Sequence, residues 1–295
     1  MHSYLRSIGF AKALKSEHET ELLLEKIYHT AQRREAVRED DGNRAFLELS
    51  RSFGPHIGIR ICGELEPHGF RRLTYFPYLE GSAPTTYCDV MVEKRSDGCS
   101  FAVLAEEGRI GVSLISYLQN PARYRKESFE GRFTGTSVST TLTGLSLSGM
   151  ILLPGKGSRC SGPDDHREAY YQKHDQMVLA AKNGSQEAIE SLTMEDMDTY
   201  AMLARRVQHE DVLTIVDSCF MPSGMECDQY QIIGTIEFYT KVQNEMTGEN
   251  LYQLSVNCNG MLIDVCINSC DLLGDPEEGR RFKGNVWLQG RLNFE

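Results

Sequence analysis

The feature that most limits how this chain can fold is the Asn259-Gly260 dipeptide, set between two runs of alternating apolar residues. Both residues tolerate positive φ, so the pair predicts a two-residue hairpin turn of the primed type, and such a turn fixes the pairing of everything around it. Cys258 then faces Met261, Val256 faces Ile263, Leu254 faces Val265 and Tyr252 faces Ile267. The opposite face pairs Ser255 with Asp264 and Gln253 with Cys266. A slip of one residue would turn the whole apolar set toward water, so the register is strongly specified.

Two more glycine turns apply the same test nearer the start. Asp97-Gly98 sets Val92 opposite Val103 and Val90 opposite Ala105. Glu107-Gly108, read the same way, sets Ala105 opposite Ile110, Val103 opposite Val112 and Phe101 opposite Leu114. The result is a three-stranded meander with one apolar face. The last strand, Phe282 to Phe294, puts Phe282, Val286, Leu288, Leu292 and Phe294 on one side and Trp287 with Arg291 on the other.

Helical signal is confined to two places. Ser16 and Glu19 form a capping box ahead of Leu22, Leu23 and Ile27, predicting a helix over 16–38. Residues 164–210, where acids outnumber bases, read as helices, with Asn183-Gly184 stopping the first, Ser185 capping the second and Thr193 with Asp196 starting a third. Between them, residues 42–154 read as strands. The Ser/Thr-rich run 132–153 is expected at a sheet edge, as a strand pair turning near Thr143-Gly144 or a single strand with a loop. Residues 154–163, rich in Gly and Ser, read as a linker. The expected fold class is α+β: two domains containing antiparallel β-meanders, an N-terminal helix plus β domain at 1–154 and an acidic helical unit plus β domain at 164–295. Shared grammar between the two β regions, Phe129-Glu130-Gly131 in one and Phe282-Lys283-Gly284 in the other, leaves an internal duplication open.

Composition narrows the function classes. With 31 Lys and Arg against 42 Asp and Glu, the net charge of −11 disfavours nucleic-acid and membrane-surface binding, because both targets are polyanions. No apolar run reaches the roughly 18 residues of a membrane span. The basic opening MHSYLRSIGFAKALK has no apolar core, and nine scattered cysteines read as reduced thiols, so the expected setting is the cytoplasm.

No residue pattern carries a recognisable chemistry. The cysteines lack the tight spacing of a structural zinc site, and the hairpin register sends Cys258 and Cys266 to different faces. His166 and His174 are too far apart on one helix to share an ion. Gly155-Lys156-Gly157-Ser158 departs from phosphate-loop spacing. Neither a metal nor another cofactor is expected. The binding candidates are Glu226 and Asp228, two carboxylates on one side of an extended segment, and Trp287 with Arg291, a surface aromatic and a cation off the apolar face of the last strand. The expected function is a non-enzymatic binding or assembly module acting through a protein partner or self-association. The alternative is a hydrolase or transferase with its site between the domains, using Asp228, Glu226 or Cys227.

The opening MHSYLRSIGF, the stretch GRIGVSLISYLQN, the run from SLTMEDMDTYAMLARRV to DVLTIVDSCFMPSGMECDQY, and the ending DLLGDPEEGRRFKGNVWLQGRL resemble, over the whole chain, a family of bacterial proteins of unknown function from Gram-positive anaerobes. The resemblance implies a bacterial cytoplasmic setting and brings no catalytic residues with it.

Overall fold

A computed structural model describes residues 2–38, 45–110, 112–152, 176–194, 197, 216, 218–224 and 227–294. The chain is an α+β protein in which strands predominate. A 3-10 turn, Ser3–Ile8, is followed by helix α1, Glu17–Thr30. The helix opens on the predicted capping box: Ser16 Oγ accepts the Glu19 N–H and the Glu19 carboxylate accepts the Ser16 N–H. It ends earlier than the sequence predicts. Ala31, at φ −57° and ψ 131°, leaves the helical conformation with its side chain still against the core, and Arg33–Arg38 is a strand, β1, paired along its length with residues 45–50.

Strand β1 pairs with β2, Ala45–Gly54, which pairs with β3, Ile57–Glu66, which pairs with β4, Gly69–Leu79; all are antiparallel and form one four-stranded sheet. The second sheet has eleven strands among the described residues. Its first-half members are β5 (Thr86–Cys88), β6 (Val90–Lys94), β7 (Phe101–Glu107), β8 (Val112–Leu118) and β9 (Val138–Leu152), with helix α2 (Pro121–Phe129) between the last two. Its second-half members are β10 (Cys219–Pro222), β11 (Gln229–Gln243), β12 (Asn250–Cys258), β13 (Met261–Asn268), β14 (Leu272–Leu273) and β15 (Arg281–Asn293).

Strands β11, β12, β13, β9 and β15 pair in a closed circuit, β15 returning to β11, so they make a five-stranded barrel. The Asn259-Gly260 turn has positive φ at both residues, and every predicted pair across it is present. Their apolar members, with Phe282, Val286 and Leu288 of β15, fill the barrel. The Asp97-Gly98 register also holds, with Val92 opposite Val103 and Val90 opposite Ala105.

The third register does not. Val103 faces Ser116 and Ala105 faces Leu114, a shift of four residues. The Glu107 carboxylate binds the Arg109 side chain at 2.8 Å and its N–H at 3.1 Å, and residues 108–110 coil into a 3-10 turn where a tight hairpin was expected. Because the shift is even, each side chain keeps its face, and Val103, Ala105 and Leu114 remain buried together.

The Ser/Thr run is likewise central where an edge was expected. It is one 15-residue strand, β9, lying between β15 on one side and β5, β13 and β14 on the other. Small side chains suit a strand covered on both faces: a Cβ on Gly144 would meet Val286 at 3.0 Å.

The face of the large sheet opposite the barrel interior is covered by the four-stranded sheet and the N-terminal segment. Leu5, Ile8 and Phe10 join Phe76, Tyr117, Leu145, Cys266 and Trp287 in a second core, and Leu23, Leu24 and Ile27 of α1 close its outer side. The segment 154–163 and most of 164–210 lie outside the described residues. Within 176–194, Gly184 ends one helical run at positive φ, and the Ala188 N–H donates to Ser185 Oγ near the start of the next. Thr193 lies inside that second run, its hydroxyl donating to the Ile189 carbonyl, and begins no third one. No helix among the described residues is long and apolar enough to cross a membrane.

Candidate functional site

The four residues singled out by sequence separate into two places, with one unseen. Glu226 lies outside the described residues. Asp228 and Trp287 meet: the indole Nε1 donates to Asp228 Oδ2 at 3.0 Å, and Arg95 pairs with the same oxygen. Both are buried, so the expectation of a surface Trp is overturned. That face of β15 looks into the second core, where the Trp287 ring sits 4.8 Å from His2, 5.2 Å from Tyr4 and 5.0 Å from Tyr117. Burial holds the His2 imidazole down at about 4, with Asp228 pulling the other way. The cluster is a packing unit in which Asp228 Oδ1 and His2 Nδ1 have no hydrogen-bond partner among the described residues.

Arg291 lies elsewhere. It is four residues from Trp287 on the same face of β15, about 13 Å along the strand, and it lines a cleft of about 310 Å³ with Arg33, Glu35, Glu48, Arg60 and Arg123. Strand register explains the gathering. Arg33 pairs with Ser50, Glu35 with Glu48 and Ser50 with Arg60, and residues directly opposite in a ladder share a face. Three strands therefore present two cations and two carboxylates on one surface. Asn120 and Arg123 come from the start of α2, whose Pro121 suits the first helical position. The tail of β15, with Asn293, and the following Phe294 form the remaining wall.

The floor of the cleft is a buried ion pair. Glu48 and Arg60 are 7% and 5% exposed, with Arg60 Nη1 3.4 Å from Glu48 Oε1. Arg60 also donates to the Gln119 carbonyl, lies 3.6 Å from Glu80 and stacks over Tyr78 at 4.6 Å. Glu48 Oε2 accepts the Ala122 N–H at 3.1 Å, capping α2. Burial pushes the Glu48 carboxyl above its ordinary range, while Arg60 and the Ala122 N–H pull it back. Chemically, a chain of net charge −11 has concentrated four arginines, on β1, β3, α2 and β15, around one opening. Planar guanidinium groups recognise carboxylates and phosphates.

Sequence reasoning reached Arg291 and missed its neighbours. The signal was present in Ala45–Gly54, where Phe46, Glu48 and Ser50 alternate with Leu47 and Leu49. Reading β1 as the tail of a helix removed the partner strand that gives this alternation a meaning. Among the described residues no group of three or more His, Cys, Asp or Glu can hold a metal ion. The eight described cysteines are free, and Cys266 and Cys258 point to different surroundings, Cys266 toward the Ser7 carbonyl and Cys258 toward those of Cys219 and Ile233.

No curated protein and no solved structure matches the chain. A family model does, over residues 5–290, under the description "Domain of unknown function, E. rectale Gene description (DUF3881)". With nearly its whole length matched, the chain belongs to this family, named for a gene of E. rectale, a Gram-positive anaerobe.

Proposed function

We propose that the protein is a binding module whose ligand is a small anion seated in the arginine cleft. The observation that carries this reading is Arg291. Among the described residues its side chain makes no ion pair or hydrogen bond, yet it lines a polar cleft whose floor is held rigid by the Arg60–Glu48 pair. A preorganised cleft with an unengaged guanidinium suits an anion from solution, and a volume of about 310 Å³ suits a metabolite-sized molecule. The test is calorimetric titration of the full chain with inorganic phosphate, small mono- and dicarboxylates and free amino acids. Arg291→Gln should weaken whichever binds by about 1.5–3 kcal/mol, roughly 10- to 150-fold in Kd. Absence of binding at millimolar concentration, or an unchanged Kd in the variant, would refute the reading.

We also infer that the two β regions are duplicated units, 1–154 and 164–295, that have exchanged their last strands. The pairing pattern supports this. The central pair β9 and β15 is antiparallel, β13 runs parallel to β9, and β8 runs parallel to β15, so these four central strands read alike from either end.

A further inference from the structure

The charges around the cleft are not equally engaged. Arg33 is paired with Glu80 at 2.8 Å, Arg123 with Glu127 at 2.9 Å, and Arg60 with Glu48 at 3.4 Å. Two lining charges remain without an ion pair or side-chain hydrogen bond to any described residue: Arg291 and Glu35. They are of opposite sign. Both lie close to Glu48, since Glu35 raises its carboxyl and Arg291 lowers it, and Glu35 stands directly opposite Glu48 in the ladder. Even so, the two are too far apart to bridge each other. The cleft therefore offers one unmatched cation, on β15, and one unmatched anion, on β1, around a volume of about 310 Å³.

We propose that the cleft recognises a small zwitterion of the α-amino-acid class, its carboxylate on Arg291 and its ammonium on Glu35. This rests on the anion-binding reading above and narrows it. A ligand carrying only negative charge would meet Arg291 but also Glu35, which has no counter-charge of its own and would repel it, whereas Glu48 is matched by Arg60. A protonated amine on the same molecule turns that repulsion into an attraction. Asn293 and Phe294, where β15 ends, supply a wall for the rest of the molecule.

The experiment is calorimetric titration of the full chain with each of the twenty standard amino acids and with the matching deaminated carboxylic acids. At least one amino acid should bind at least tenfold more tightly than its deaminated counterpart. Glu35→Gln should erase that preference, weakening the amino acid tenfold or more and leaving the plain acid unchanged or improved, whereas Arg291→Gln should weaken both. Glu35 is exposed on an edge strand and Arg291 is partly exposed, so both variants should fold, as the emission of Trp287 would report. If plain acids bind as tightly as amino acids, or if Glu35→Gln keeps the preference, the zwitterion proposal falls and anion binding stands. If neither class binds the unaltered chain, both fall.

Discussion

Replacing Arg60 with Met removes the cation beneath the cleft and leaves Glu48 buried, with the Ala122 N–H as its remaining close partner. Stranding one member of a buried pair costs about 3–5 kcal/mol. Glu48→Gln is milder, because the amide oxygen still accepts from Ala122 and Arg60 keeps Glu80 at 3.6 Å; a cost of about 1–2 kcal/mol is expected. The double variant should be no less stable than Arg60→Met alone, since the neutral amide that replaces the Glu48 carboxylate needs no counter-ion. Urea unfolding followed through the single tryptophan reads all three. With a slope near 3 kcal/mol per molar, the Arg60→Met midpoint should fall by about 1–2 M. If the two single effects add in the double variant to within about 0.5 kcal/mol, the charges are uncoupled and the account of the cleft floor is wrong.

Three further outcomes follow from the packing. His2 is held near 4 against an ordinary 6.5, so the unfolded chain takes up that proton first; stability is full above about pH 6.5 and falls by up to about 3 kcal/mol as pH drops toward 4, and His2→Phe should flatten that slope in urea titrations at each pH. Trp287→Phe leaves Asp228 bonded to Arg95 without the indole donor, which should lower stability by about 1–3 kcal/mol in a circular-dichroism melt, while the unaltered protein should show the blue-shifted emission of a buried indole that moves red on unfolding. Gly234→Ala would set a Cβ 2.4 Å from the Asn257 carbonyl oxygen, where β11 passes from β15 to β12; a loss of about 1–3 kcal/mol is expected, and an unchanged melting point would count against the closed barrel.

How far the sequence could be read depended on whether local chemistry specified a distant pairing. Asn259-Gly260 did, because two consecutive residues at positive φ leave one way to turn. Asp97-Gly98 gave the right register through another device: the Asp97 carboxylate accepts the N–H groups of Cys99 and Ser100. Glu107-Gly108 failed because Arg109, one residue beyond the presumed turn, captures the glutamate. Strand β9 was misplaced because Ser and Thr suggest solvent, whereas here Thr140, Thr143 and Ser146 are buried in a strand covered on both faces. Arg291 was legible as a polar residue on an alternating strand. Glu35, Glu48 and Arg60 were not, since their meaning lies in a ladder among three strands, one of which follows the capped helix without a turn signal and so looks helical in sequence.

The crossing of β9 and β15 bears on how the protein must be made. By the time residue 152 has left the ribosome, β9 has yet to meet β13 and β15, the strands that flank most of its length, and β15 emerges after every other strand described. Neither half of the sequence can finish its own share of the large sheet, so an early fragment carries an open row of amide and carbonyl groups along β9. Folding of the large sheet is thereby deferred until Asn293 has been made. A nascent chain cut short before Arg281 would hold its first half intact in sequence and still be unable to close.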